Sequence, residues 1–470
     1  MTIDPWARLD CLVKSSPFLP QLLEPMCALL IQAAQIHEEF CHSEGESLGH
    51  LETKLQKPLA TLKAELLQRA AQRKADLTPP ECPVCARKLT RRRKVERSVH
   101  TASGDIQVTR TLGWCPKCKE WFCPADEALG VQSGYSPAVQ ELAALFASKM
   151  PLSEASAVLE HVTGIKLPPT TLDRVAKQAA EKARHQRRQL DEEASLGKIQ
   201  TPAVAQAPAT LVIMMDAWNI RERDEFGRSA ALRKAGREPQ RWHWVWTGTV
   251  FGLEQRTSKN ERPIILHRGY VATREGMESF VQQLRGEAVR HGLGQAKRVL
   301  VMGDGGLWIW TIAKGRFSEA IQRIDLYHIK QHLWVCAREL HQDPKEQALW
   351  VRRMKNRLKK GQAKAVISQL EEAIKELAPP RQETAQKQVA YFKEHQHRMS
   401  YAEADKLHEP SGTGAIESTC RQYQCRFKRP GQFWSQDGDE GLLCLDTFWR
   451  NQRWTLLFPH SARNCDPSKN

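Results

Sequence analysis

No run in this sequence approaches the roughly 18 consecutive apolar residues that a membrane-spanning helix needs. The start, Met1-Thr2-Ile3-Asp4-Pro5, also lacks the basic and then apolar stretch of a secretory signal. A membrane partner is therefore not expected, and the chain reads as cytoplasmic. No internal repeat or low-complexity tract is present either. Acidic residues are the minority sign, 54 Asp and Glu against 70 Lys and Arg, which leaves a formal charge of +16. Such an excess points either to a polyanionic partner, nucleic acid before membrane, or to a well-solvated surface. The cysteines number thirteen, an odd count in a chain without a secretory signal. A disulfide framework is thus not expected, and metal ligation is the first reading. With 470 residues and 41% hydrophobic content, the chain can build two to four domains with real cores, which rules out disorder throughout.

Residues 1–78 read as a helical segment: Leu48, Leu51, Leu55, Leu59, Leu62 and Leu66 recur at helical steps, with Pro58 expected to start a new segment or kink the helix. Residues 79–130 carry two CxxC knuckles, Cys82-Pro83-Val84-Cys85 and Cys115-Pro116-Lys117-Cys118, with two short strands expected around Ala102-Ser103-Gly104-Asp105. That pattern is a zinc ribbon. Each knuckle turn aims two thiolates at one point, and a hairpin between them assembles the four-sulfur site that Zn²⁺ takes in structural roles. Cys123 is expected to be a spare buried thiol. Arg91, Arg92, Arg93 and Lys94 lie between the knuckles and either contact phosphate or form a solvated face.

Residues 131–194 read as a small helical DNA-binding unit, with helices over 137–150, 153–162 and 172–190 and a capping box formed by Thr170 and Asp173. A helix-turn-helix with 172–182 as its recognition helix is one arrangement. The 163–169 connection is longer than the usual three or four residues, which favours a plain bundle. Residues 195–209, with Pro202 and Pro208 and no apolar period, read as a linker.

Beyond the linker the texture is α/β. Strands are expected at 210–215, at 242–246 where Trp242, Trp244 and Trp246 alternate, at 264–266, at 298–302 and at 321–326. Helices are expected over 274–291 and 328–340. A helical stretch follows to about residue 406, then a helix from Gly414 through Arg426 and an aromatic, basic tail with Phe433, Trp434, Phe448, Trp449 and Trp454. Three acids stand out by placement: Asp216 after the first strand, Asp304 after the fourth in Gly303-Asp304-Gly305-Gly306, and Glu417 on the late helix. A carboxylate at the carboxyl end of a buried strand sits where such sheets place ligands. Any one of them alone is more often a cap or turn residue. Taken in order, they match the arrangement of an RNase H-like nuclease core, whose carboxylates hold two Mg²⁺ or Mn²⁺ ions.

Asp216-Ala217-Trp218, Gly303-Asp304-Gly305-Gly306-Leu307-Trp308, Asp325-Leu326-Tyr327-His328 and Gly412-Thr413-Gly414-Ala415-Ile416-Glu417-Ser418 together resemble the successive motifs of DDE transposases from bacterial insertion sequences, most closely the ISKra family. The cysteine segment resembles that family too. The resemblance implies a catalytic triad of Asp216, Asp304 and Glu417, and an RNase H-like core over 210–454 with a helical insertion at about 341–406, ahead of a tail at 455–470. It implies metal-dependent cleavage at element ends, followed by attack of the exposed 3′-hydroxyl on target DNA. Double-stranded DNA is then the partner, bound by a homo-oligomer, and the protein is nucleoid-associated when bound. His328 is expected to pack near the site. His328 and His332 share a helix face but lack the Glu of a zinc-protease motif. Trp308 is either core or a platform for a displaced base. Arg421, Lys428 and Arg429 are candidate phosphate contacts. Two rival readings are an RNase H-like nuclease that only hydrolyses and a domesticated, catalytically inactive DNA-binding regulator.

Overall fold

The computed structural model describes residue 14 and residues 19–199, 202–223, 227–238, 241–257, 263–265 and 267–461. The chain forms two compact units, one running to Ala179 and taking in Phe458, the other spanning Ala180–Leu457.

In the first unit, two helices, Leu19–His42 and Leu48–Leu77, precede an antiparallel sheet of β1 (Thr90–Thr101), β2 (Gly104–Cys115) and β3 (Glu120–Phe122). Pro58 does not break the second helix, which runs through it. Beyond the proline this helix packs on the hairpin through Ala64, Ala71 and Ala75. The hairpin strands are also longer than the short pair expected, at 12 residues each. Their inner face buries Val99, Ile106 and Val108 with Ala75 of the helix. The open edge of β2 is closed by side chains rather than by another strand. Gln72 accepts from the Thr109 amide at 2.8 Å and donates to its carbonyl at 2.9 Å, and Gln68 accepts from the Gln107 amide at 3.2 Å. These bonds satisfy backbone groups that would otherwise template edge pairing.

The helices Pro137–Lys149 and Leu152–Thr163 follow, then one that starts at Pro169 and continues to Ser195. Ser136 caps the first of them, and Gly164 ends the second in the left-handed conformation at φ 72°. The third begins on its proline, a favoured first helical position. Thr170 is therefore inside the first turn and not the expected cap, and Asp173 instead pairs with Lys177 at 2.6 Å.

The second unit is a mixed α/β structure. Its sheet has the order β6-β5-β4-β8-β9, built from β4 (Thr210–Glu222), β5 (Arg241–Thr257), β6 (Pro263–Ile264), β8 (Arg298–Gly303) and β9 (Ile321–Ile324), with β7 (Arg268–Thr273) also paired to β5. The β4–β5 and β5–β7 pairs are antiparallel, and β4–β8 and β8–β9 are parallel. Leu211 through Met215 are fully buried, as an apolar run covered on both faces must be. Four strands depart from expectation: β5 runs well past 242–246 to Thr257, the strand expected at 321–326 stops at Ile324 and leaves Asp325 beyond it, and two more differ. The central one continues past Asp216 to Glu222, because β5 pairs with it along its whole length. The third main strand is 268–273, while 263–264 adds only a short ladder and residue 266 lies outside the described residues.

The described part of 195–209 is not a free linker. Ala203 N–H donates to Arg290 O at 2.9 Å, and Arg298 N–H donates to Ala209 O at 3.0 Å. Residues 200 and 201 lie outside the described residues.

After β9 and the helix Leu326–Leu340, three helices, Pro344–Lys359, Ala363–Ile374 and Pro379–His395, form a helical stretch packed on the sheet unit through Trp350, Met354, Leu370 and Phe392. The chain returns through a buried ion pair, Arg323 to Glu409 at 2.8 Å. Glu409→Ala should therefore cost about 3–5 kcal/mol by leaving a guanidinium buried without its carboxylate. Urea denaturation measures this, and a loss below about 1 kcal/mol would mean the pair is not buried. The helix Gly414–Phe427 follows. The aromatic segment beyond it is no loose tail. Trp434, Phe448 and Trp454 are buried, and the Trp434 indole donates to Phe427 O at 2.8 Å. Residues 462–470 of the expected tail lie outside the described residues. Among the described residues, no helix is long and apolar enough to cross a membrane.

Candidate functional site

The ladder between the parallel strands β4 and β8 is paired through Met214 and Met302. Two steps further in the same register, Asp216 and Asp304 come level. β8 ends at Gly303, so the edge of β4 beside Asp216 is open on the side where the Asp304 turn lies. Gly305 makes that turn at φ 107°, and a Cβ there would run into the Tyr391 hydroxyl. Tyr391, from the helix Pro379–His395, donates to Asp304 O at 3.1 Å and stacks on His332 with ring centroids 3.8 Å apart. The helical stretch thus buttresses the turn. The Asp304 carboxylate accepts from the Gly306 amide at 3.0 Å.

Asp216 is half-buried and accepts from the Ala217 amide at 2.7 Å. Burial pushes its carboxyl above the ordinary range, and the like charge of Asp304 adds to this. The Cys420 thiol lies beside it, and Cys420 is itself raised by burial and then by the Asp216 charge. Cys420 lies one turn beyond Glu417, so this contact ties the helix Gly414–Phe427 to the central strand. Glu417 is half-buried, and the Thr413 hydroxyl donates to its Oε1 at 3.1 Å.

A further acid, Asp325, follows β9 as Asp304 follows β8. It is fully buried. Its amide donates to Gly303 O at 3.0 Å. Its Oδ1 accepts from the Tyr327 amide at 3.0 Å and the Thr413 amide at 3.3 Å, so one carboxylate caps a helix and holds the loop that leads to Glu417. Gly412 of that loop lies so close that a Cβ would sit 3.2 Å from Asp325 Oδ1. The other oxygen, Oδ2, is buried without a hydrogen-bond partner and lies 3.9 Å from His328 Nε2. One ligand atom from each of Asp325, His328 and Glu417 falls within 4.8 Å of the others.

The structure thus sets Asp216 level with Asp304, places Cys420 of the Glu417 helix beside Asp216, and gathers Asp325, His328 and Glu417 within 4.8 Å; among the described residues Asp216, Asp304 and Glu417 do not form such a group by themselves. Asp325 carried a readable signal, an acid three residues before His328 in the motif Asp325-Leu326-Tyr327-His328, although it fell inside the strand expected over 321–326. Cys420 and Tyr391 carried none. His332 does not join the group: its Nδ1 pairs with Gln388 Oε1 at 2.7 Å, and burial lowers its pKa. Trp308 is half-buried and packs edge-on against Trp246 with centroids 4.8 Å apart. From there Trp244 and Trp242 continue outward along β5, 54% and 55% exposed. Arg221 lies 5.4 Å and Lys428 5.8 Å from the Trp242 ring. Arg421 is exposed on the Glu417 helix, and Arg429 donates to Cys425 O at 3.2 Å.

In the other unit, Cys82, Cys85, Cys115 and Cys118 converge, each offering a sulfur within 4.8 Å of the rest. Cys82 and Cys118 are 3.7 Å apart, Cys85 and Cys115 3.5 Å. A tetrahedral Zn²⁺ with Zn–S bonds of about 2.3 Å requires sulfurs about 3.8 Å apart, so the four fit that ion. The Cys118 amide points at the Cys115 sulfur from 3.4 Å and lowers its pKa, while burial pushes that of Cys118 up. Ala86 and Lys119 take left-handed φ values of 59° and 56° just after each knuckle. Cys123 is half-buried and accepts from Arg110 at 3.1 Å, outside this cluster. Arg91, Arg92 and Arg93 are exposed at the start of β1, with Arg93 5.7 Å from the Trp121 ring.

Residues 251–452 match the model of UPF0236, described as an uncharacterised protein family. The chain is also 22% identical over 347 residues, covering 72% of this chain and 70% of the other, to the UPF0236 protein in vanSb 3′region of Streptococcus gallolyticus. The family match takes in Asp304, Asp325, His328 and Glu417 and begins after Asp216.

Proposed function

We propose that this protein is a DNA transposase of the Asp-Asp-Glu type, with an RNase H-like core and a zinc ribbon ahead of it. The observation that carries the reading is the level placement of Asp216 and Asp304 at the ends of two parallel strands, with the helix that bears Glu417 set beside Asp216 through Cys420. The strand order β7-β5-β4-β8-β9, antiparallel among the first three strands and parallel for the last two, is the order such a core needs. In this reading Asp216, Asp304 and Glu417 hold two Mg²⁺ or Mn²⁺ ions, which supply charge neutralisation at the attacking and leaving oxygens of a phosphodiester. The protein's own contribution is placement. Asp325 fixes the Glu417 loop, Tyr391 fixes the Asp304 turn, and the Cys420 thiol draws the Glu417 helix toward Asp216.

The proposed substrate is double-stranded DNA, and the +16 charge supports a polyanion. Affinity should fall with salt at a log–log slope of about −0.9 per phosphate contact. A flat salt response in a binding titration would remove the charge as support for this partner. The exposed Trp242 and Trp244 beside Arg221 and Lys428 suit a displaced single strand, since bases stack on aromatic faces. Replacing both tryptophans with Ala should weaken single-strand binding by about 1–3 kcal/mol per stacked base, read by fluorescence anisotropy, with duplex binding less affected.

The deciding experiment is a joining assay on a labelled duplex carrying the DNA that flanks this reading frame. Products longer than the substrate support transposition. Shortened products alone point to a hydrolytic nuclease. Binding with neither product points to a regulator.

A further inference from the structure

We propose that Asp325, His328 and Glu417 form a mixed nitrogen and oxygen site for a divalent first-row transition ion. The inference shares Glu417 with the phosphoryl-transfer reading and deepens it, since it adds two ligands that the three-carboxylate scheme lacks.

Three observations carry it. First, the donor atoms of the three side chains already lie within 4.8 Å of one another, a little wider than the roughly 3–4.4 Å between ligands about 2.0–2.2 Å from one centre, so a small side-chain adjustment closes them on an ion. Second, Asp325 Oδ2 is buried, lacks a hydrogen-bond partner and lies on the His328 side at 3.9 Å. A buried carboxylate oxygen left unpaired is costly, and buried charges are normally paired or bound to metal. The other oxygen of the same group is fully used by the Tyr327 and Thr413 amides, so the carboxylate cannot rotate to satisfy Oδ2 without giving those up. Third, the cluster is rigid. Asp325 is held by the Gly303 carbonyl through its own amide, and Leu326 N–H donates to Ser411 O at 2.9 Å. Ligands from a strand end, a helix start and a second helix are thereby fixed before any ion arrives.

The donor set decides the class of ion. Mg²⁺ favours oxygen ligands and keeps several waters, whereas an imidazole beside two carboxylates suits transition ions such as Mn²⁺ and Zn²⁺ better. His332, one turn along, is excluded by its bond to Gln388. Cys420 is drawn to Asp216 and Thr247, and a soft sulfur ligand is not part of the proposal.

The test uses the full chain with Mn²⁺ as the probe and no DNA. Titration followed by electron paramagnetic resonance gives the affinity, and electron spin-echo modulation reports any ¹⁴N bound to the ion. The wild-type protein should show ¹⁴N modulation. His328→Gln should abolish it and weaken Mn²⁺ binding by at least about 10-fold. His328 is half-buried and caps nothing, so this variant should fold, as circular dichroism would check. Asp325→Asn should weaken binding as well. Mn²⁺ bound without ¹⁴N modulation, lost in Asp216→Asn and Asp304→Asn but retained in His328→Gln, would overturn the proposal and leave the three-carboxylate reading intact. Intact ¹⁴N modulation in a protein that never cleaves DNA would uphold the site while the transposase reading failed.

Discussion

Glu417→Gln abolishes DNA strand cleavage while DNA affinity stays nearly intact: that is the outcome expected if this residue completes the carboxylate set. The amide keeps the side-chain shape, and its oxygen can still accept from the Thr413 hydroxyl as Glu417 Oε1 does at 3.1 Å. What it removes is the negative charge that holds a divalent ion. Metal neutralisation of transition-state charge contributes several kcal/mol, and each 1.4 kcal/mol or so is tenfold in rate. Cleavage should therefore fall by about 10³-fold or more, and Asp216→Asn and Asp304→Asn should match it. The competing role for Glu417 is a favourable anion in the first turn of its helix, contributing only about 0.3–1 kcal/mol of stability. In that case cleavage of an end-bearing duplex in Mg²⁺ or Mn²⁺ would continue near the wild-type rate, and the carboxylate set would have to be redrawn.

Cys85→Ser should release the metal from the cysteine cluster and unfold the knuckles around it. One equivalent of zinc per chain is expected in the wild-type protein and none in the variant. Structural zinc contributes about 10–16 kcal/mol of apparent binding free energy in small zinc-finger peptides, far more than the few apolar contacts near this cluster. Leu89 and Phe122 are the main non-cysteine hydrophobes packed there. The separate core of Val99, Ile106 and Val108 against the helix Leu48–Leu77 should survive. Hydrogen exchange should therefore rise sharply over 82–89 and 113–122 and much less over 99–108. Full zinc retention in the variant, or a folded wild-type preparation without zinc, would defeat the assignment.

Local pattern is what the sequence carried by itself. The two CxxC spacings place sulfurs in pairs because a knuckle turn spans only four residues. The apolar run 211–215 marks a strand covered on both faces because no polar side chain interrupts it, and the acid at 304 follows a short apolar strand. The α/β character of the second unit follows from such runs alternating with helical periods. Where pattern misled, a long-range partner had overridden it: the helix that holds Pro58 packs on the hairpin through Ala64, Ala71 and Ala75, β4 outruns its apolar stretch because β5 pairs with it to Glu222, and residues 202–209 lie against the sheet unit despite their prolines.

Only the tertiary structure decided which residues meet. Asp216 comes level with Asp304 through the parallel register of two strands more than eighty residues apart in sequence, a quantity no local period encodes. Asp325 becomes more than a helix cap because the 411–413 loop folds back onto it, and that return is anchored by Arg323 and Glu409. Cys420 reaches the Asp216 carboxylate and Tyr391 the Asp304 carbonyl from helices whose own patterns say only which face is buried. Side-chain periodicity reports the face a residue takes. Strand register and helix packing, which depend on contacts between distant segments, determine what stands opposite it.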